Sequence, residues 1–355
     1  MVRILAIETS CDETAFSLVE ASGGLLRPTF SVLENLVTSQ IAIHRPFGGV
    51  VPNLAKREHL VNLPILFEQI KEKIGKKKID IVAVTVGPGL EPALWTGVGF
   101  TKEIHKKYFP KSKLIGVNHM EGHLYSFLLS QKTEKTNSQT RLPAGRFQIS
   151  KLKELFPAIA LVVSGGHTII IRMDSLTKRK KLGETRDDAV GEAFDKVARL
   201  LNLPYPGGPE IERCAKEGNP HAIEFPRPMM HDKNYEFSFS GLKTSALYYM
   251  RDHKTANIND VAASFQEAAI DVLRHKATRA IKEFNAHSLL LSGGVAASKA
   301  LRTALEERCK ELNIKFFAPS IQYNTDNATM IAVAAYINFL EKKNRALRAN
   351  GNMTL

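Results

Sequence analysis

The strongest constraint on the fold is that this chain carries one local pattern twice. Ile4-Leu5-Ala6-Ile7-Glu8-Thr9-Ser10 reads as a buried strand, the polar turn Cys11-Asp12-Glu13-Thr14 follows, and Ala15 to Glu20 reads as a second strand. Ala158-Ile159-Ala160-Leu161-Val162-Val163 runs in the same way into Ser164-Gly165-Gly166-His167-Thr168 and then Ile169-Ile170-Ile171-Arg172. A second pair supports the repeat: Ile79 to Gly89 and Ser288 to Gly294 are both buried-type strands that end in glycine turns and open helices. Strands alternating with helical stretches predict α/β layers, and two copies predict two homologous lobes facing each other across a cleft. The chain, at 355 residues, is long enough for two such cores. The polar, Lys/Arg-bearing stretch Ser130 to Lys153 reads as a basic surface loop and places the boundary there. The expected division is a first lobe of residues 1–129 with 324–355, the linker 130–153, and a second lobe of residues 154–323. Asn327 to Arg348 has apolar residues at helical spacing and is expected to be a last helix that packs back on the first lobe.

Composition narrows the partners. A formal charge of +13 points to a polyanion, nucleic acid first, with a merely solvated basic surface as the bland alternative. No apolar run is long enough to span a bilayer, and the first residues lack the signature of a secretory signal, so a soluble cytoplasmic protein is expected. Cys11, Cys214 and Cys309 show no metal spacing and are expected to be reduced thiols.

Two constellations could carry chemistry. In His119-Met120-Glu121-Gly122-His123 the histidines are four apart at the head of a helix, so both rings lie on one face, as two imidazole ligands of one metal require. A zinc protease of the HExxH kind needs its glutamate directly after the first histidine. Here Met120 stands there and Glu121 is displaced by roughly 100° around the helix. Asp326 offers a third ligand, and two histidines with one carboxylate suit Fe(II) or Zn(II) as a Lewis acid. Asp326 is also a reasonable helix N-cap, and both readings hold only if different groups do the two jobs. The other constellation is glycine turns that aim backbone N–H groups at a ligand: Ser164 to Thr168, Tyr205 to Pro209 and Ser292 to Ser298. With the hairpin tip Thr9 to Thr14 they would converge on a cleft able to cradle phosphates and an adenine. Asp187 to Ala198 has helical spacing with an acidic start suited to the helix dipole, and Asp195 could face ligand hydroxyls. Phe237 to Thr244 has no place in the pattern. Lys76 to Lys78 and Lys178 to Lys181 read as solvated loops.

Taken in order, Glu8 to Thr14, Phe47 to Pro52, Gly87 to Leu90, His119 to His123, Val163 to Thr168, Gly191 to Lys196, Tyr205 to Pro209 and Phe237 to Thr244 resemble the bacterial TsaD family of tRNA threonylcarbamoyladenosine transferases, over about residues 3 to 340. The resemblance implies a two-lobe duplicated fold of the actin, hexokinase and Hsp70 type. It implies transfer of a threonylcarbamoyl group from threonylcarbamoyl-AMP to N6 of the adenosine 3′ of the anticodon, position 37, in tRNAs that read ANN codons. Its partners would be tRNA, TsaB-like and TsaE-like proteins, and a TsaC-like enzyme that makes the intermediate. Carried over by position, the metal ligands are His119, His123 and Asp326, with Fe(II) ahead of Zn(II). The adenylate, threonylcarbamoyl-AMP or ATP itself, is held by Val162, Val163, Ser164, Gly165, Gly166, Asp195 and Gly208, with Glu212 and Ser298 beside it. Asp12 and Glu13 lie near the reacting groups. Two positions depart from the family pattern: Ser298 stands where Asn is usual, and Glu212 where Asp is frequent. The alternatives are an actin-like ATPase or small-molecule kinase, a metalloprotease, and a non-catalytic scaffold.

Overall fold

The computed structural model describes residues 1–130, 145–149 and 152–355 and divides the chain into two compact units. Unit 1 comprises Met1–Ala42, Val50–Lys153 and Pro319–Leu355, and unit 2 comprises Ile43–Gly49 and Glu154–Ala318.

Unit 1 is built on a six-stranded sheet of β1 (Val2–Glu8), β2 (Glu13–Ser22), β3 (Thr29–Ser39), β4 (Ile81–Gly87), β5 (Lys113–Asn118) and β6 (Arg146–Gln148), in the order β5-β4-β1-β2-β3-β6. Strand β1 pairs parallel with β4 and antiparallel with β2, and Ile4 to Glu8 are buried. A strand covered on both faces has no reason to alternate, which is why it reads as an unbroken apolar run. The short α1 (Ile41–His44) is followed by α2 (Pro52–Ile74), α3 (Glu91–Tyr108) and α4 (His119–Tyr125). Pro52 opens α2, where a missing N–H costs nothing, and Gly75 closes it with its amide on the Lys71 carbonyl. Leu63, Phe67 and Ile70 of α2 join Leu5, Ile7, Phe16 and Val84 of the sheet in one core.

The stretch 130–153 is more than a loop where it is described. Arg146–Gln148 adds β6 antiparallel to β3, because Phe147 is buried and meets Tyr323 edge-on at 5.6 Å. The rest of the expected basic loop, 131–144 and 150–151, lies outside the described residues.

Unit 2 repeats the plan. Strands β7 (Ala158–Val163), β8 (Thr168–Met173), β9 (Arg179–Glu184), β10 (Ser288–Ser292) and β11 (Lys315–Phe317) lie in the order β11-β10-β7-β8-β9. This is the order of β5-β4-β1-β2-β3, with the same parallel and antiparallel senses. The helices are α5 (Val190–Leu200), α6 (Gly207–Ala215), α7 (Ser240–Asp252), α8 (Ile258–Glu283) and α9 (Lys299–Glu311), packed around Leu161, Ile170, Phe194 and Phe265. Most of the Lys178–Lys181 run forms the start of β9 rather than a loop, and its charge on an edge strand discourages further strand pairing. Helix α5 begins at Val190, so Asp187 and Asp188 precede it. The Asp187 carboxylate accepts from the amides of Phe239 and Ser240 and thus serves the start of α7, while Asp188 pairs with Lys196 and Lys243. Phe237 and Phe239, the segment without a sequence pattern, are buried beside each other with ring centroids 6.3 Å apart.

The last helix, α10 (Ala328–Leu340), belongs to unit 1 and packs on its sheet. It stops eight residues short of the expected Arg348: Lys342 takes a left-handed φ of 56°, and the tail continues as extended and turn structure. The tail is held by main-chain groups, Asn350 N donating to Val86 O (2.8 Å) and Gly89 N to Gly351 O (3.2 Å). Gly87 is required here, because a Cβ on it would fall 2.0 Å from the Asn350 carbonyl. No helix among the described residues is long and apolar enough to cross a membrane.

Candidate metal centre and backbone turns

Strand β5 ends on Asn118, whose side-chain oxygen accepts from the amides of Met120 (2.8 Å) and Glu121 (3.2 Å). That N-cap starts α4 at His119 and puts His119 and His123 one turn apart, with ring centroids at 4.6 Å. Asp326 Oδ1 lies 3.5 Å from His119 Nε2 and 3.1 Å from His123 Nε2. One ligand atom from each residue falls within 4.8 Å of the others. The cap of α10 comes from Asn327, whose side-chain oxygen accepts from Met330 N at 3.0 Å. The two jobs that sequence assigned to Asp326 are thus split between neighbours.

These residues fit a divalent cation. His123 is wholly buried, yet among the described residues neither ring nitrogen has a hydrogen-bond partner, Nε2 standing 3.1 Å from Asp326 Oδ1 without hydrogen-bond alignment. Such a group is unfavourable by about 1–3 kcal/mol unless something binds it. Burial lowers its pKa, which keeps the imidazole neutral with a lone pair to offer. His119 is anchored from behind: its Nδ1 lies 3.1 Å from Ser10 Oγ and 3.2 Å from Glu8 Oε2. Glu8 is buried and accepts from Ser10 N (2.5 Å) and Thr85 Oγ1 (2.6 Å). A carboxylate behind a histidine fixes the ring and raises its basicity as a ligand. Burial works against charge on His119, but Asp326 and Glu8 outweigh it and push its pKa up to about 9. A cation would take the place of that proton. Two imidazoles and one carboxylate oxygen suit Fe(II) or Zn(II).

Glu121 is excluded as a protease base by its partners. It is fully buried and turned to the other side of α4, where it accepts from Asn338 Nδ2 (3.0 Å) and from both ends of the Arg345 guanidinium (2.7 Å each). Asn118 Nδ2 also donates to Thr354 O at 2.9 Å, so the C-terminal tail buttresses the helix that carries both histidines.

The β1–β2 turn brings Asp12 and Glu13 to the same neighbourhood. Both are buried, and burial followed by the charges of Asp12 and Asp326 holds the Glu13 carboxyl well above the usual carboxylate range. Glu13, with Asp12 beside it, thus lies within electrostatic reach of Asp326 in unit 1.

In unit 2, Val162 and Val163 end β7 and are buried, and the Ser164–His167 turn is closed by Ser164 N donating to His167 O (2.8 Å) and His167 N to Ser164 Oγ (3.1 Å). Among the described residues, a Cβ on Gly165, Gly166 or Gly208 would meet nothing within 4 Å. The start of α5 abuts this turn so closely that a Cβ on Gly191 would lie 2.7 Å from Ser164 O, and its first amide, Val190 N, donates to Thr168 Oγ1 at 2.9 Å. A helix start beneath a glycine turn is suited to an anion. Asp195 accepts from Gly207 N at 2.7 Å, tying α6 to α5. Glu212 Oε1 accepts from Ala300 N (3.0 Å), and Ser298 Oγ caps α9 from Leu301 N (3.3 Å). Ser298 thus has a task that a hydroxyl performs as well as an amide. Sequence reasoning gave Glu8 no role, although one acid in an otherwise apolar strand was the available signal.

A family model described as TsaD, tRNA N6-adenosine threonylcarbamoyltransferase, matches residues 31–333. Curated relatives of that name include one from Fervidobacterium nodosum, 46% identical and covering 93% of this chain and 91% of its own. Another, from Clostridioides difficile, is 43% identical over 98% of this chain and 96% of its own. Among solved structures, full-length HypF in a phosphate- and nucleotide-bound form superposes with a TM-score of 0.59 at 12% identity, over 98% of this chain and 47% of that one. T. kodakarensis HypF does so at 0.59 and 15%, over 96% of this chain and 48% of that one. At these identities the likeness concerns the fold alone. The extent and identity of the sequence matches show that the chain belongs to the TsaD family of tRNA N6-adenosine threonylcarbamoyltransferases.

Proposed function

We propose that the chain transfers the threonylcarbamoyl group of threonylcarbamoyl-AMP to N6 of the adenosine 3′ of the anticodon in tRNAs reading ANN codons, in the cytoplasm. Membership of the family over nearly the whole chain carries this reading. The net charge of +13 supports a tRNA substrate. In the reaction the N6–carbonyl bond forms, the bond between the carbonyl carbon and the phosphate oxygen breaks, AMP leaves, and N6 loses a proton.

His119, His123 and Asp326 would hold the divalent cation, iron ahead of zinc, which would supply Lewis-acid polarisation of an acyl or phosphate oxygen. Glu8 holds the His119 ring in its ligating orientation. The adenylate is assigned to Val162 to Gly166, Asp195 and Gly208, with backbone N–H groups of the glycine turn meeting its phosphate. Glu212 and Ser298 act behind it, by fixing α6 and α9. Asp12 and Glu13 are assigned to the N6 proton and the reacting carbonyl. Because an exocyclic amine is a weak nucleophile, positioning by the bound tRNA carries much of the rate.

The exposed Leu60, Val61 and Ile65 of α2 support an apolar docking face for a TsaB-like protein, with TsaE-like and TsaC-like proteins completing the system. The test is reconstitution with tRNA, threonine, bicarbonate, ATP and these partners, followed by nucleoside mass spectrometry. Threonylcarbamoyladenosine is expected. Its absence, where another family member produces it, rejects the function.

A further inference from the structure

We propose that His59 of α2 is a positioning residue that sets the hairpin tip bearing Asp12 and Glu13. The inference rests on the reading that those two carboxylates work on the reacting groups. Along α2, Ala55, His59, Leu63, Phe67, Ile70 and Ile74 form one buried stripe. An apolar residue would be the ordinary occupant of position 59, since helix packing alone needs no polar atom there. Instead both ring nitrogens reach the β1–β2 turn. Nε2 lies 3.0 Å from the Cys11 carbonyl, and Nδ1 lies 2.7 Å from Thr14 Oγ1.

A carbonyl only accepts, so Nε2 carries the hydrogen, Nδ1 is bare, and the Thr14 hydroxyl donates to it. A neutral imidazole in one tautomer therefore bridges the two ends of Cys11-Asp12-Glu13-Thr14. Gln40 completes the clamp, donating from its backbone amide to Asp12 O (2.9 Å) and from its side chain to Ala55 O (3.4 Å). Ser39 Oγ donates to Glu13 Oε1 at 3.3 Å. Two consecutive carbonyls and the Thr14 hydroxyl are thus pinned on either side of the working carboxylates. None of these bonds involves His119, His123 or Asp326, so the clamp acts on the tip and not on the ligand set.

The test compares His59→Leu, which fills the stripe but bonds to nothing, with His59→Gln, whose amide can donate to Cys11 O and accept from Thr14. In the reconstituted reaction His59→Leu is expected to lower kcat about 10- to 100-fold, as a misplaced group does. KM for tRNA and bound metal per chain should stay at wild-type values. His59→Gln should recover most of the loss. A cycle with Glu13→Gln should be non-additive, His59→Leu costing far less once Glu13 is gone. Apart from activity, 15N NMR of the imidazole should show the Nε2–H tautomer at neutral pH. Additive effects in the cycle, His59→Gln as poor as His59→Leu, or loss of metal in either variant would overturn the proposal. So would the opposite tautomer. Should His59→Leu not fold, His59→Asn, too short to reach both partners, replaces it in the same comparison. A wild-type protein that makes no product sinks the functional reading itself. Full activity of Asp12→Asn and Glu13→Gln removes the tip from the mechanism while leaving that reading intact.

Discussion

The β1–β2 turn and the β7–β8 turn occupy the same place in two sheets of the same strand order, and they are made of opposite materials. The first presents side chains: Asp12 and Glu13, with Glu8 just behind, are buried; Ser10 and Thr85 bond Glu8, Gln40 the Asp12 carbonyl, Ser39 the Glu13 carboxyl, and His59 the Cys11 carbonyl. The second presents backbone: Gly165 and Gly166 are exposed, and no atom of the described residues stands where a Cβ would project. A duplicated scaffold has kept its hydrogen-bond ladder and exchanged the chemistry at the strand ends. Buried carboxylates and imidazoles suit a cation, and an exposed glycine turn beside a helix start suits an anion. Strand ends are where this can happen, because a turn residue is not constrained by pairing on both sides.

The largest effect is expected at the cation half. The double substitution His119→Ala with His123→Ala should reduce bound metal, by elemental analysis, from one per chain to none. Formation of the modified nucleoside should fall by about a thousandfold or more, since a Lewis acid supplies several kcal/mol. Binding of AMP, assigned to the other turn, should persist, and its disappearance would show that the two halves are not separable. Next in size is Arg345→Met, which removes the guanidinium counter-charge from the buried Glu121 carboxylate and should lower unfolding stability in denaturant by about 3–5 kcal/mol. Adding Glu121→Gln to that variant should restore much of the loss. Glu8→Gln should weaken metal binding by about 10- to 100-fold in a competition titration, because the His119 ring loses its anionic backing. Unchanged affinity would remove Glu8 from the site. The smallest effect on stability belongs to the anion half. Gly165→Ala projects into open space, so its melting curve should match wild type within about 0.5 kcal/mol, while AMP binding weakens. Unaltered AMP binding would take the turn out of the adenylate site.

Much of this was readable in advance. The repeat was visible because central strands buried on both faces leave continuous apolar runs, as in Ile4–Ile7 and Ala158–Val163, and glycine turns follow them. The histidine pair was visible because a helix places i and i+4 on one face whatever its surroundings. Other features were invisible for equally physical reasons. The end of α10 at Leu340 depends on the tail, whose Arg345 bonds Glu121, a residue far away in sequence. The acids at 187 and 188 looked like the start of α5, but Asp187 serves α7, across some fifty residues. Strand β6 exists because Phe147 found a buried place beside Tyr323, which no local pattern encodes.

By itself, the sequence determined the α/β class, the duplication, the family and the identity of the candidate ligands. Those follow from periodicity, glycine placement and ordered motifs, all of which are local properties of the chain. The tertiary structure alone decided that Asn327 and not Asp326 caps α10, that Glu8 backs His119, that Glu121 faces away from the cation group, and that His59 clamps the hairpin tip. Each of these is a hydrogen bond, and a hydrogen bond depends on distance and direction between groups that the chain brings together only after it has folded.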